Sequence, residues 1–589
     1  MLRSFRFGCS ILVLAALSAA PAFATTEGSD RVAAQAATSS ATGNYLAGRT
    51  AVTLRDMDAA ATFLRSALRA APKDAELLDR TFRIVLASGD FDQAADLADR
   101  VIAVDPNNRI ARLTLAVRAI KNKQYAAART QLQPSLEGPM ADLVATLVAA
   151  WAWQGSGDTA KAVKTTDILT GNDYATMFRD LHAGLIYEAA GNFPEAEKRL
   201  TEAYKNDQQQ YIVIDSYARV LARAGKLDEA LGVYKALTDK MPRNTRLNAS
   251  AAYLEKNKKL PIPVTNAKDG VTEALLSLSM MASRGETAEI SLIYLNLALA
   301  LSPQHELALI SLADLQETIA QNEQAIETYR RVPKTSVFHE DIALRIALNL
   351  AQADKMKEAL DQLRALVAED KNDTDAIIAL GGLLHREKNY KEAAEVYSLA
   401  VDGLAEPKKS DWSVYFSRGV SYDQAKDWRK AEKDLQTSID LDPEQAVALN
   451  YLGYSWVDRG TAIEKGMDLI KKAVDLRPND GDIVDSLGWA YYRQGKYPEA
   501  TTELERAVEL KPQSWEINDH LGDVYWKTDR KLEAKFQWLH ALTLEIDADK
   551  RGPIEKKISE GLDVVEAEQQ AAKQAENAAS PDAQKPATP

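Results

Sequence analysis

Thiols are almost missing from this chain. Cys9 is the single cysteine among 589 residues, and it stands in an N-terminal stretch that reads as an export signal. Arg3 and Arg6 make that stretch positive, Ile11 to Leu17 make it apolar, and Ala22, Phe23 and Ala24 supply the small-x-small pattern that a signal peptidase cuts. Residues 1–24 are therefore expected to be removed, so that the mature chain begins near Thr25 and residues 25–40 form a flexible start. Without Cys9 there can be no disulfide, cysteine nucleophile or thiolate metal site. Cys9 also precedes most of the apolar run, which places it poorly for the lipid-modified first residue of a lipoprotein. No later stretch reaches the roughly 20 apolar residues that a bilayer crossing needs, so no membrane insertion is expected after signal removal. A large, exported, cysteine-free helical chain points to the periplasm of a Gram-negative cell.

Basic charge is in deficit. The formal net charge is −13, and loss of Arg3 and Arg6 takes it to −15. That balance excludes a nucleic-acid role and favours basic or neutral partners. Histidine is scarce too: His182, His305, His339, His385, His520 and His540 fall in separate helical or turn contexts. No HExxH, phosphate-binding glycine loop or Gly-x-Ser-x-Gly elbow occurs. His520 stands beside Asp519 with no serine or cysteine partner, and carboxylates in an open, wet groove have nothing to raise their pKa. No catalytic residue, cofactor or metal is expected. Aromatics at 7% leave little material for strands, while the abundance of alanine and leucine is that of a helical chain.

What is present in quantity is a pattern that recurs fourteen times at a spacing of 34 residues or close to it. Residues 481–514 show it most clearly, with Leu487, Gly488, Tyr491, Ala500, Leu504, Ala507 and a closing Pro512. Counted from the first residue of each repeat, small residues fall at positions 8, 20 and 27. Larger apolar residues fall at 4, 7, 11 and 24, and a proline often stands at 32. This spacing predicts two short amphipathic helices joined by a turn, with small residues where the axes must approach to roughly 8–10 Å. One such pair cannot bury its apolar face alone, so the pairs must stack. The expected fold class is all-α: an α-solenoid of about fourteen antiparallel helix pairs.

Six repeats occupy 41–244, beginning at Ala41, Ala75, Arg109, Leu143, Met177 and Tyr211. Their position-20 residues are Ala60, Ala94, Ala128, Ala162, Ala196 and Ala230. Pro72, Pro106 and Pro242 close three of them, and Gly89, Gly157, Gly191 and Gly225 mark turns between paired helices. Eight repeats occupy 272–548, beginning at Thr272, Glu306, Glu340, Thr374, Trp412, Ala446, Gly481 and Trp515. Four extra residues, Lys408 to Asp411, lie between the fourth and the fifth, and the sixth has one extra residue in its turn, which leaves Gly466 at position 20. Residues 245–271 break the period. Leu260-Pro261-Ile262-Pro263 and the stretch Asn266 to Gly270 cannot continue a helix, so a short helix from about Leu247 to Glu255 followed by a loop is expected, acting as a hinge or linker. Gly552-Pro553 leads into one capping helix within 549–578. Residues 579–589 have almost nothing to bury and should form a disordered tail.

The residues quoted for 481–514 resemble the tetratricopeptide repeat family, and Leu521, Gly522, Tyr525, Ala534 and Ala541, with Gly419, Tyr422, Ala431 and Pro443, match its signature twice more. The resemblance covers roughly 41–548. It implies a right-handed superhelix whose concave face commonly holds an extended peptide or a partner helix. The export signal and alanine-rich repeats are also similar in style to periplasmic alphaproteobacterial repeat proteins that support cell-envelope integrity.

Under that resemblance, repeat positions 2, 5, 9 and 12 to 13 line the groove. In the last two repeats they are Asp482, Asp485, Trp489, Tyr492 and Arg493, then Glu516, Asp519, Asp523, Trp526 and Lys527. The two before them add Phe416, Val420, Asp423, Asn450, Tyr454 and Asp458. Aromatic plates among carboxylates suit an extended ligand with apolar groups and a positive charge. Tyr415, Tyr422, Tyr491 and Tyr525 fall at core positions, as does Trp153, whereas Trp151 falls at groove position 9. The function expected is a non-catalytic scaffold of the cell envelope that binds a protein or extended peptide. Two alternatives stay open: an envelope-polysaccharide binding module, and an accessory factor for protein export.

Overall fold

The computed structural model describes residues 40–136, 142–171, 173–241, 244–282, 288–546 and 548–579. The signal, most of the flexible start, Pro242 and the tail beyond Ala579 lie outside the described residues. Within them the chain is all-α, a solenoid of helix pairs, and no strand occurs among the described residues.

The helices begin where a short polar side chain can take an orphan amide of the first turn. Asp74 accepts from Leu77 N at 3.0 Å, Asn108 from Ala111 N at 3.1 Å and Asp142 from Ala145 N at 3.1 Å. Gly89 and Gly225 turn the chain between paired helices at φ +92° and +81°, a left-handed conformation in which a side chain is strained. The small positions lie at the helix crossings: all six alanines at position 20 of the first block are fully buried. Gly453 and Gly466 show the need most directly. A Cβ on either would stand 2.7 Å from the other's carbonyl oxygen, which is why the sixth repeat of the second block keeps glycine at both.

Two compact bodies are present, one up to Gln362 and one from Leu363. The division falls within the helix Met356–Glu369, so the expected linker at 245–271 lies inside the first body. That segment also differs from expectation in detail. A helix covers Thr245–Asn257, and the next begins at Ala267, so Asp269 and Gly270 are helical. Asn266 makes this possible: its Oδ1 accepts from Lys268 N at 3.0 Å and Asp269 N at 3.1 Å, satisfying the start of the helix.

In the first body the initial helices of the second to fifth repeats are α1 (Ala75–Ala87), α2 (Arg109–Lys121), α3 (Leu143–Gly155) and α4 (Asp173–Ala189). The pair that follows the break is α5 (Ala267–Ala282) and α6 (Ala288–Leu301). This pair does not merely extend the stack. The helix α5 packs on α3, α4 and α2, and α6 packs on α1 and α2. Its sequence explains why: α6 reads AEISLIYLNLALAL, apolar on nearly every side, and a helix of that kind must be covered all round. Leu292, Ile293, Leu295, Leu297 and Leu301 are all buried. Asn296 ties the arrangement, donating from Nδ2 to the carbonyls of Leu86 at 3.2 Å and Ala87 at 2.8 Å in the last turn of α1.

In the second body the helices that bear on function are α7 (Trp412–Gln424), α8 (Ala446–Arg459), α9 (Gly481–Arg493), α10 (Trp515–Lys527) and α11 (Lys531–Thr543). They are followed by α12 (Ala548–Glu560) and α13 (Leu562–Ala579). The single expected capping helix is therefore two, broken at Gly561 (φ +92°), where a Cβ would also stand 2.6 Å from the Trp526 ring.

Candidate functional site

In the third to fifth repeats, within the first body, the groove is closed by the chain itself. Leu113, Val117, Ile120, Leu147, Trp151, Leu181 and Leu185 stand at positions 5, 9 and 12 of successive repeats, and all are buried. Trp151, expected to face a ligand, is fully buried, donates from Nε1 to His182 Nδ1 at 3.0 Å and packs on Gly270. Burial in turn carries the His182 pKa down to about 3, so this imidazole stays neutral. Trp153, expected in the core, is only half-buried and lies beneath Arg129 at 3.8 Å and Lys161 at 4.6 Å. Position 9 of the sixth repeat is Arg219, locked in a buried network with Glu188 (2.8 Å) and Asp215 (2.8 Å).

In the second body the same positions carry aromatics and acids. Phe416 on α7 is half-buried and meets Tyr451 edge-on at 5.9 Å, while the Tyr451 hydroxyl donates to Asp423 at 2.9 Å. Tyr454 on α8 has its pKa pushed up by burial and by the carboxylates of Asp458, Asp485 and Glu516, which places acids of three successive repeats around one phenol. Arg493 spans back to Asp458 at 2.6 Å, and Lys511 holds Asp482 at 2.6 Å.

Trp489 is half-buried and stacks with Tyr492 (centroids 4.7 Å, planes 12° apart) and with His520 (4.1 Å, 21°). Two rings so nearly centred on one indole cannot lie side by side, so they cover its two faces. Its Nε1 is buried and has no hydrogen-bond partner. His520 accepts a role that the sequence did not announce: its Nδ1 lies 2.9 Å from Asp485 Oδ1. Burial opposes the charge on this imidazole, but Asp485, joined by Asp519 and Asp523, outweighs burial and carries the pKa up to about 9.

The end of this groove is occupied. Lys557 on α12 places its ammonium 2.8 Å from both oxygens of Asp519 and 2.8 Å from Asp523, with the side chain almost wholly buried. Asp523 also accepts from Trp538 Nε1 at 3.0 Å. Trp526 donates from Nε1 to Asp563 on α13 at 2.9 Å, Lys527 pairs with Asp563 and Glu566, and the Tyr492 hydroxyl donates to Glu566 at 2.8 Å. So Asp519, Asp523, Tyr492 and Trp526 do come together, and what they hold is the chain's own C-terminal helix pair. The expectation that no carboxylate here is perturbed was wrong. Burial, reinforced by Asp519, drives the Asp523 pKa upward, because this end of the groove is not wet.

The sequence did contain a signal for this contact. On α12 Ile554 is buried and Ile558 half-buried, and Lys557 falls on the face they form, three residues after Ile554. A lysine at that place needs a carboxylate, and Asp519 and Asp523 at positions 5 and 9 supply two. Among the described residues no three His, Cys, Asp or Glu side chains gather as a metal-binding group.

Known proteins match the chain in parts. Residues 41–74, 85–150, 181–245, 344–406 and 488–529 match models of the tetratricopeptide repeat. A TPR repeat-containing protein of Pseudomonas aeruginosa is 32% identical over 157 residues, 26% of this chain and 25% of that one. The mitochondrial import receptor subunit TOM70 of Homo sapiens is 22% identical over 295 residues, 50% of this chain and 43% of that one. The match thus spans between a quarter and under half of these relatives' length. Among solved structures, the APC/C hetero-tetramer Cut9-Hcn1 aligns over 90% of this chain and 98% of that one at 15% identity, with a TM-score of 0.36. With helix pairs at a 34-residue period, small residues at their crossings and five matched segments, the chain carries tetratricopeptide repeats.

Proposed function

We propose that this protein is a non-catalytic scaffold of the periplasm that holds a basic protein segment or extended peptide along α7 to α10, and thereby supports assembly or integrity of the cell envelope. The observation that carries this reading is the resident contact at the groove's end, where two carboxylates grip a lysine while Trp526 and Tyr492 bond to the helix that follows it. The same chemistry continues away from it, in Asp482 and Asp485 beside Trp489 and in Phe416 and Tyr454 on the preceding repeats. In the first body the third to fifth repeats carry buried apolar residues at these positions, so binding is assigned to the second. A sugar-stacking role for Trp489 is disfavoured because both faces of its ring are covered.

The test is crosslinking in intact cells with the full chain and with a Phe416→Ala, Tyr454→Ala variant, followed by mass spectrometry. A protein adduct that the double variant loses while its far-ultraviolet helical signal is unchanged supports the assignment. An adduct that survives protease and disappears on glycan digestion replaces it with an envelope polymer. Sequencing of the mature protein from a periplasmic fraction should begin near Thr25, and a full-length N-terminus would refute the compartment.

A further inference from the structure

The helix α11 carries an apolar stripe that the repeat does not require. Leu532, Phe536 and Leu539 are 66%, 61% and 47% exposed, and their spacing of four and then three residues sets them on one face over two turns. The same helix has a normal buried side in Ala534, Trp538 and Ala541, so the stripe is a second apolar face. Corresponding positions elsewhere in this body are polar or small: Arg429, Lys433 and Gln436 in the repeat beginning at Trp412, and Pro498, Thr502 and Glu505 in that beginning at Gly481. Stacking therefore does not account for three large apolar side chains here.

The charges beside the stripe say what covers it. Lys535 lies on its edge, exposed, with no carboxylate partner among the described residues, and exposed His540 flanks the other side. Lys531, on the same side as Lys535, is 3.8 Å from Asp529 and rests over the Trp526 ring. The exposed ammonium of Lys535 beside the stripe complements a carboxylate on a partner. A second copy of the chain fits badly: an antiparallel α11 pair centred on Phe536 would bring the two Lys535 ammoniums together at the axis. The chain's own tail fits no better, since Ser580 to Pro589 has three prolines and no apolar side chain larger than alanine.

We infer that the outer face of α11 is a docking surface for an amphipathic helix of another protein, which lays an apolar ridge along Leu532, Phe536 and Leu539 and presents Asp or Glu to Lys535. This surface is separate from the groove, which takes a basic ligand.

The experiment places the photocrosslinker p-benzoylphenylalanine at position 536 of the full chain in the cells that make it, with the same group at Lys433 as the matched control. The expected result is a heterologous protein adduct at 536 alone. Its crosslinked peptide should be an apolar-striped helix with acidic flanks, and its yield should fall several-fold in Lys535→Glu and vanish in Leu532→Lys. Because these side chains are exposed, both variants should keep the helical signal of the parent. A homodimer, a lipid adduct, an adduct equal to that at position 433, or a yield unaffected by Lys535→Glu would each overturn the inference, and the groove assignment would stand or fall separately by its own variants.

Discussion

At repeat positions 5, 9 and 12 the first body presents Leu147, Trp151, Leu181 and Leu185, and the helices that carry them pack on α5 of the apolar pair α5 and α6. At the equivalent positions the second body presents Asp519, Asp523, Tyr492 and Trp526, and what they touch is Lys557, Asp563 and Glu566. Both bodies cover a repeat wall with their own later helices, yet by opposite means. Burying a leucine contributes about 1.5–3 kcal/mol and depends little on salt or pH, so the cover in the first body is permanent. Charges taken out of water are held only while every partner is in place, so the cover in the second is conditional.

The contrast can be broken from the apolar side first. Leu297 on α6 is fully buried, and Leu297→Asp should cost upwards of about 4 kcal/mol by placing an unpaired charge there. Chemical denaturation should then show the first body unfolding early, while an unchanged midpoint would mean that α6 is not part of its core. On the ionic side, Lys557→Met leaves Asp519 and Asp523 facing each other. Loss of one partner from a buried pair costs about 3–5 kcal/mol, here charged against docking of α12 and α13 rather than against the whole body. Hydrogen exchange should accelerate across 548–567 and stay unchanged in α9, and adding Asp519→Asn should restore part of the protection.

A smaller effect is expected where α5 meets α3. A Cβ on Gly270 would stand 2.1 Å from the Trp151 ring, so Gly270→Ala should cost roughly 1–3 kcal/mol by overpacking, and a melting temperature equal to the parent's would show that Trp151 can move aside. The smallest and most graded change comes from pH. The folded pKa of His520 is raised to about 9, above its ordinary 6.5, and that of Asp523 is raised too. For a raised pKa the stability is complete below the unfolded value and is lost as pH climbs through the folded one. Protection of α10, which carries both groups, should therefore decline from pH 3.8 to about 7 through Asp523 and from pH 6.5 to about 9 through His520, while that of α5 and α6 holds, and equal decline in both would erase the distinction between the two covers.

Much of this architecture is legible in the sequence because the repeat constrains it locally. The alanines at position 20, the turn glycines and the paired Gly453 and Gly466 each answer a steric demand within one helix pair, although the pair expected from Thr272 begins at Ala267. The groove residues were readable as chemistry, acids among aromatics, but not as an address. Which helix covers a wall depends on contacts made across long separations, and a 34-residue window does not see them. Two clues were nonetheless present: apolar residues at groove positions 113, 117, 147 and 181, which a wet wall would not tolerate, and Lys557 on the apolar face of α12.

The amide of Asn296 donates to carbonyls 209 and 210 residues earlier in the chain. During synthesis or passage through a membrane from the N-terminus, α1 to α4 therefore emerge long before the helices that shield them. For that interval Trp151, Leu147 and their neighbours are uncovered, and such long-range closure is slow and prone to aggregation. A nascent chain halted before residue 301 should engage chaperones, and release on completion of α6 would time the rate-limiting step of folding.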